Sequence, residues 1–201
     1  MIYQTCVLST LLYGSEAWTL NADQERKLNG FHMRCLRKIL RIDWKDKVTN
    51  TQVLQLANIP SLYQTLRLRR MRWLGHVHRM DHDRIPRQLL YGELKEGARP
   101  TGAPMLRYKD LSKRTMSEIF VDPDTWEESA QNRKKWRTAV HSGVKRFEED
   151  RIQKVEEDRQ RRKNPVQPKA DQLVYTCNYC SRGFTHFIGK NSHERACSNR
   201  R

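Results

Sequence analysis

The spacing of three cysteines and one histidine near the C-terminus constrains the fold of this chain more than any other feature. Two residues separate Cys177 from Cys180, twelve separate Cys180 from His193, and three separate His193 from Cys197. Thiolates and imidazole bind Zn²⁺ tetrahedrally, and this spacing matches a Cys-x-x-Cys turn that faces one side of a helix. The segment is therefore predicted to be a ββα zinc finger of the C2HC type, with these four side chains as ligands.

The interior of the predicted finger departs from the usual pattern at one position. Phe184 supplies the aromatic side chain that covers the metal in a small ββα finger. Three residues before the histidine, where a second apolar side chain usually lies, the sequence has Lys190. Phe187 and Ile188 would have to fill part of that space, so a loosely packed finger is expected.

The charge balance favours a polyanionic partner. The 201 residues include 39 Lys and Arg against 23 Asp and Glu, which gives a net charge of +16. Residues 26–114 hold most of this excess, with 21 basic and 7 acidic residues. A basic surface binds phosphates and releases counterions, so its binding weakens with salt. The predicted partner is RNA or DNA, bound without sequence specificity.

Cysteine use and the N-terminal residues predict an intracellular protein. Outside the finger only Cys6 and Cys35 occur, which gives no framework of paired cysteines and indicates a reducing compartment. Residues 1–14 lack a basic leader and are too short and polar to span a bilayer, so no membrane association is expected. Basic residues at 145–146 and 159–163 resemble a two-part nuclear import signal, although a solvated charged helix also explains them.

Three capping patterns, each an Asn, Thr or Ser followed three residues later by Gln, predict helix starts. They are Asn21 with Gln24, Thr49 with Gln52, and Ser61 with Gln64. The first helix should run from about Ala22 to Leu40 with two distinct faces. Its predicted apolar face contains Leu28, Phe31, Cys35, Leu36 and Ile39. Its basic face contains the predicted phosphate contacts Arg34, Arg37, Lys38 and Arg41. A merely solvated basic face is the alternative.

The helix after Ser61 carries a second group of basic residues. Guanidinium groups fit phosphate oxygens, so these residues are also predicted nucleic-acid contacts. They are Arg67, Arg69, Arg70 and Arg72. Trp73 lies on the apolar stripe of this helix and is interpreted as a core residue rather than a base-stacking platform.

The remaining pattern divides the chain into four regions of a mainly α-helical protein. Residues 1–114 form a basic helical region that ends in a Gly- and Pro-rich loop at 92–104. Residues 115–163 form a helix that carries Trp126 and Trp136 on one stripe and a charged extension. Residues 164–172 are a linker, and residues 173–201 are the finger. The tryptophan stripe is either core or a surface that docks a protein partner.

The histidine-rich stretch from His76 to Asp83 raises the hypothesis of a metal-dependent nuclease. Only His78 and His82 could share a helical face there, and the stretch lies at a helix end, where polar residues are ordinary. The sequence also lacks a phosphate-binding Gly-rich loop and a nucleophile elbow. The chain is therefore predicted not to be an enzyme.

Several blocks together resemble a known family. They are LLYGSEAWTL at 11–20, FHMRCLRKIL at 31–40, RRMRWLGHVHRMDHDRIPRQLLYGEL at 69–94, LRYKDLSKR at 106–114 and DPDTWEESAQNRKKWRTAVHSG at 122–143. With the terminal finger, they are similar to the C-terminal part of reverse transcriptases of non-LTR, LINE-type retrotransposons.

This resemblance implies binding without synthesis. The family coordinates magnesium through paired aspartates in a palm motif that precedes the segment resembling residues 11–18, and the chain is expected to begin at about the thumb. The thumb and downstream segments of the family hold nucleic acid by its backbone. The resemblance thus implies a non-catalytic nucleic-acid-binding fragment with a Zn²⁺ finger. The alternative is a zinc-finger protein-interaction module that docks a partner through the Trp126/Trp136 helix.

Overall fold

The computed structural model describes residues 2–92, 107–164 and 174–198, and within these ranges the chain is mainly helical. The helices are α1 (Ser9–Leu11), α2 (Ala22–Ile39), α3 (Asn50–Ala57), α4 (Leu62–His78), α5 (Ile85–Tyr91), α6 (Tyr108–Glu118), α7 (Trp126–Gln131), α8 (Arg133–Lys163) and α9 (Phe187–Arg195). The strands are β1 (Tyr175–Thr176) and β2 (Gly183–Phe184). The predicted fold class is confirmed. Most of the predicted loop at 92–104 and of the linker at 164–172 lies outside the described residues.

The three predicted helix starts are confirmed. The side chain of Asn21 accepts a hydrogen bond from the Gln24 backbone N–H at 2.9 Å, and the Gln24 side chain accepts one from the Asn21 N–H at 2.9 Å. The pair at Thr49 forms the same reciprocal box. Ser61 Oγ accepts from the Gln64 N–H at 3.1 Å. Each cap satisfies a backbone donor that the first helical turn cannot use.

The chain forms two compact units, residues 1–153 and residues 154–201. This division differs from the boundary predicted after residue 114, which lies inside α6. A continuous apolar cluster explains the difference, because it joins residues from both sides of that position. Its buried members are Met71, Leu74, Met116, Ile119, Trp126, Ala130, Trp136, Val140 and Val144.

Helix α4 is at the centre of the first unit and packs against α2, α5, α6 and α7. Gly75 permits its close contact with the ring of Trp136 on α8, because a Cβ atom at this position would lie 2.3 Å from Trp136 Nε1. The indole N–H of Trp136 donates to the Met71 carbonyl at 2.9 Å. This buried hydrogen bond fixes α8 beside α4.

The buried face of α2 is rotated from the predicted one. Phe31 and Ile39 were expected in the core but are 41% and 57% exposed. The buried residues are instead His32, Met33 and Leu36, and of these three only Leu36 was predicted to face the core. The helical segment Tyr3–Leu8 covers this face at His32, where the Tyr3 hydroxyl lies 2.9 Å from His32 Nδ1 and the two rings stack.

The predicted tryptophan-bearing helix consists of two helices. The chain leaves helical geometry at Asn132, whose side chain accepts hydrogen bonds from the backbone N–H groups of Lys134 and Lys135. An Asn side chain that caps the next helix in this way competes with continuation of the previous one. Trp126 therefore lies on α7 and Trp136 on α8.

The second unit contains the end of α8 and the predicted ββα segment. Strands β1 and β2 are antiparallel, with Tyr175 opposite Phe184 and Thr176 opposite Gly183. Two residues per strand give little independent stability. Further cross-links are therefore needed to hold α9 against the hairpin.

Candidate metal centre and basic groove

The four predicted ligands converge on one point at the end of the hairpin. Cys177 and Cys180 lie in the turn after β1, His193 lies in the last turn of α9, and Cys197 follows the helix. The nitrogen and sulfur atoms that could bind a metal all lie within 4.8 Å of one another. The Cys180 Sγ to His193 Nε2 distance is 3.1 Å, and the Cys177 and Cys197 sulfurs are 4.0 Å apart. These residues can hold a metal ion.

One detail of the predicted ligand placement is corrected. The four-residue spacing of His193 and Cys197 predicts that both lie on one side of the finger helix, but α9 ends at Arg195 and the chain turns at Ala196. The turn places the Cys197 thiol against that of Cys177, where both residues are buried. Two buried thiols that touch without a disulfide are typical of a metal-ligand pair.

The surroundings of Cys177 favour its thiolate. Burial raises the pKa of this thiol, but hydrogen bonds from the backbone N–H groups of Tyr179 and Cys180 lower it, and the net effect is a pKa below the usual value for cysteine. The Tyr179 N–H lies 3.4 Å from the sulfur. Metals bind cysteine as the thiolate, so the turn is arranged for coordination.

Glu194 stabilises the finger in a way that sequence reasoning missed. Its Oε1 accepts a hydrogen bond from the Asn178 N–H at 2.9 Å and lies 3.7 Å from the Lys190 ammonium group. It therefore links α9 to the cysteine turn, and it gives the half-buried Lys190 a partner where an apolar residue was expected. The Phe184 ring lies over His193, with ring centres 5.0 Å apart, which matches its predicted covering role.

Two of the predicted phosphate contacts on α4 are buried. Arg67 donates from Nε to Glu118 at 2.8 Å and also pairs with Glu25 at 3.4 Å. Arg70 donates to the Thr115 hydroxyl at 2.9 Å and is 1% exposed, and burial lowers its pKa. Contrary to the prediction, these two side chains join elements of the core and are not offered to a ligand.

The predicted contacts on α2, and Arg41 just after its end, remain on the surface with one exception. Arg34, Lys38 and Arg41 are exposed, and none of them forms an ion pair within the part of the chain that the structure describes. Arg37 donates to the Val48 carbonyl at 2.8 Å and to the Asn50 side chain at 3.0 Å. It therefore holds the start of α3 against α2.

The other two predicted arginines of α4 lie in a groove of about 790 Å³ within the first unit. Five arginines and one carboxylate line this groove, so its net charge is positive. The lining residues are Glu16, Arg69, Arg72, Trp73, His76, Arg79, Arg133, Trp136, Arg137, Val140 and His141. We call this feature the α4/α8 groove. Arg72, Arg133 and Arg137 are exposed and form no ion pair among the described residues.

Sequence reasoning found only half of the groove. Arg69 and Arg72 stood out as part of an arginine cluster, whereas Arg133 and Arg137 are about sixty residues away on α8. Only the packing of α8 on α4 brings them together. Arg79 and Arg133 are close enough for the second charge to lower the pKa of the first, after the larger effect of burial. The groove thus concentrates positive charge that local acids do not neutralise.

The histidine-rich stretch does not form a metal site among the described residues, where the finger ligands make the one suitable group of three or more. His78 is buried, with Nδ1 2.7 Å from the Tyr91 hydroxyl and Nε2 3.2 Å from the Gln131 side chain. Both ring nitrogens therefore already have partners, and this histidine braces α4 against α5 and α7. His78, one of the two histidines that the nuclease hypothesis required as metal ligands, is therefore already engaged in the core.

The tryptophan stripe was predicted to be either core or a surface that docks a partner, and the structure places it in the core. Trp126 and Trp136 are 8% and 2% exposed and pack on each other, with ring centres 5.9 Å apart. They belong to the core of the first unit. A partner could not dock on these two side chains without opening that core.

No protein-family model matches the chain, and no solved structure matches it. The chain is similar to an uncharacterized transposon-derived protein of Caenorhabditis elegans, with 21% identity over 146 residues. The match covers 69% of this chain and 52% of the relative, so the chain spans about half of that protein's length. Together with the Cys/His cluster, this similarity supports a transposon-derived protein with a metal site. Among the described residues, the helices are too short or too polar to cross a bilayer.

Proposed function

We propose that this chain is a non-catalytic nucleic-acid-binding segment that derives from the thumb and downstream region of a non-LTR retrotransposon reverse transcriptase. The observation that carries the proposal is the α4/α8 groove, which five arginines and one carboxylate line. Arg69 and Arg79 donate hydrogen bonds to the Leu12 and Ala130 carbonyls, and the other three arginines form no ion pair among the described residues. Arginine is the side chain best suited to hold phosphate oxygens, and unpaired cations in a concave surface attract polyanions. The exposed cations of α2 add to this field.

The metal centre is proposed to hold Zn²⁺. Three thiolates and one imidazole are the donor set of a closed structural zinc site, and soft thiolates disfavour calcium and magnesium. With four protein ligands, such a site leaves no open position for chemistry. The ion would hold α9 against the two short strands.

The finger is expected to add affinity without base discrimination. In ββα fingers the side chains that contact bases are those before the helix start and at its third and sixth positions. Because α9 starts at Phe187, the corresponding residues are His186 just before the helix and Gly189 and Ser192 within it. Gly189 has no side chain, and a serine hydroxyl accepts contacts from more than one base. This supports contact of the finger with the sugar-phosphate backbone of a nucleic acid rather than recognition of its base sequence.

Binding of labelled oligonucleotides across a salt series tests the proposal. The logarithm of the affinity should fall linearly with the logarithm of salt concentration, by about 0.7 to 0.9 per phosphate contact. Removing two groove cations, with Arg72→Gln and Arg137→Gln together, should reduce that slope by about 1.4 to 1.8. Affinity that is absent at low salt, or a slope near zero, would contradict the proposal.

A matched variant controls for net charge. Arg26→Gln and Lys145→Gln together remove the same number of cations from exposed sites in the first unit. Both residues already pair with acids of their own helices, Arg26 with Asp23 and Lys145 with Glu149. The control should therefore leave the salt slope almost unchanged. An equal loss in both variants would mean that overall charge, and not the groove, governs binding.

A further inference from the structure

Trp73 is a large aromatic residue of α4 that takes no part in the core. It is absent from the three buried clusters of the described residues and from the side chains that pack against them. Instead it is half-buried and lines the α4/α8 groove beside His76, with ring centres 5.5 Å apart. Trp73 is therefore not the core residue that the sequence predicted, and it lies instead on the wall of the groove.

The groove combines an aromatic wall with cations on two helices. Arg72 on α4 and Arg137 on α8 are both exposed and line it. The core residues Trp136 and Val140 lie beneath the groove lining. Cations that follow a backbone, together with an aromatic ring for the bases, are the arrangement that recognises single strands.

A duplex uses this arrangement poorly. Its bases are stacked on each other, so their faces are not available to a side chain, whereas an unpaired base can lie against an aromatic ring. The groove volume of about 790 Å³ lies within the range of about 300–1,000 Å³ that is usual for ligand pockets. It suits a short unpaired segment rather than a double helix.

We propose that the α4/α8 groove binds a short single-stranded polynucleotide segment, with one base stacked on Trp73 and its flanking phosphates held by Arg72 and Arg137. This inference rests on the proposed nucleic-acid-binding function and adds the form of nucleic acid and the residue that selects it. RNA and DNA strands share the chemistry of an unpaired base between phosphates.

The test compares affinities of the full chain for a twelve-nucleotide single strand and for a duplex of the same sequence, by fluorescence anisotropy. Trp73→Leu should weaken single-strand binding about tenfold or more, since base stacking on an aromatic ring typically has an effect of that size. The same change should leave duplex binding and the salt slope unchanged, because the groove cations remain. Trp73→Phe should restore most of the lost affinity.

Two controls separate stacking from folding. Trp44→Leu removes a tryptophan that is 81% exposed and lies outside the groove, and it should change neither affinity. With the unaltered protein, an abasic strand of equal length should bind about tenfold more weakly than the normal strand. The abasic comparison stays decisive if Trp73→Leu impairs folding. Parallel RNA and DNA strands show which sugar the groove accepts.

The failures of the two proposals are distinguishable. If strands bind with a normal salt slope but are insensitive to Trp73→Leu and to loss of their bases, the stacking inference is overturned and the proposed function stands. If Trp73→Leu weakens single strand and duplex equally, the inference is likewise overturned. If no oligonucleotide binds at low salt, both proposals are overturned.

Discussion

Replacement of Gly75 by alanine should destabilise the first unit by forcing α4 and α8 apart. An added Cβ atom would lie 2.3 Å from Trp136 Nε1 and 2.5 Å from its Cδ1, well inside van der Waals contact. The indole is 2% exposed and is held by its hydrogen bond to the Met71 carbonyl, so it cannot move aside freely. The alanine therefore has to displace a buried ring or the helix itself.

The size of the effect follows from three terms. Overpacking of a core typically costs about 1–3 kcal/mol, and loss of the buried indole hydrogen bond costs about 1 kcal/mol. Alanine in place of glycine within a helix returns about 0.5–1 kcal/mol. The net expectation for Gly75→Ala is a loss of about 1–3 kcal/mol in the free energy of unfolding. For a unit of this size, that is a fall of roughly 3–10 °C in Tm.

Urea unfolding followed by tryptophan fluorescence measures this effect in the first unit, because all five tryptophans precede residue 153. Gly30→Ala is the matched control, since this glycine also lies within a helix but has no atom within 4 Å of an added Cβ. It should raise stability by about 0.5–1 kcal/mol through helix propensity alone. If Gly75→Ala is as stable as Gly30→Ala, the close packing of α4 on α8 described above is wrong.

Three further perturbations test other parts of the structure. Arg67→Met should cost about 3–5 kcal/mol of folding stability because it leaves the buried Glu25 carboxylate unpaired, whereas exposed Arg72→Met should cost almost nothing by the same urea titration. Cys177→Ser should abolish stoichiometric zinc in native mass spectra and the amide dispersion of residues 174–198, and retention of both would refute the ligand assignment. Burial lowers the pKa of His32 from 6.5 to about 4, so the His32 imidazole binds a proton more tightly in the unfolded chain than in the folded one. Its stabilising contribution should be complete above pH 6.5 and fall by up to about 3 kcal/mol as the pH approaches 4, and His32→Leu should flatten that part of the urea-derived profile.

The sequence alone was sufficient to locate the helix starts and the four side chains that could hold a metal ion. Both depend on residues that are close along the chain, since a Cys-x-x-Cys turn and an N-cap act within one or two turns of backbone. The four ligands converge as predicted, and the caps at Asn21, Thr49 and Ser61 form as predicted. The lysine at position 190 was recognised as unusual, but its partner Glu194 was not, because the carboxylate acts through the fold of the finger.

Only the tertiary structure decided which cations are available. Helical periodicity predicted Arg67, Arg70 and Arg72 alike as phosphate contacts. In the structure, Arg67 and Arg70 are buried against acids and a hydroxyl group from distant segments, whereas Arg72 lines a groove. The same packing removed Trp136 from the surface and left Trp73 facing the groove. A local pattern fixes how a helix starts and which side chains share a face. Which face another segment covers depends on contacts between residues tens of positions apart, and these contacts exist only once the chain is folded.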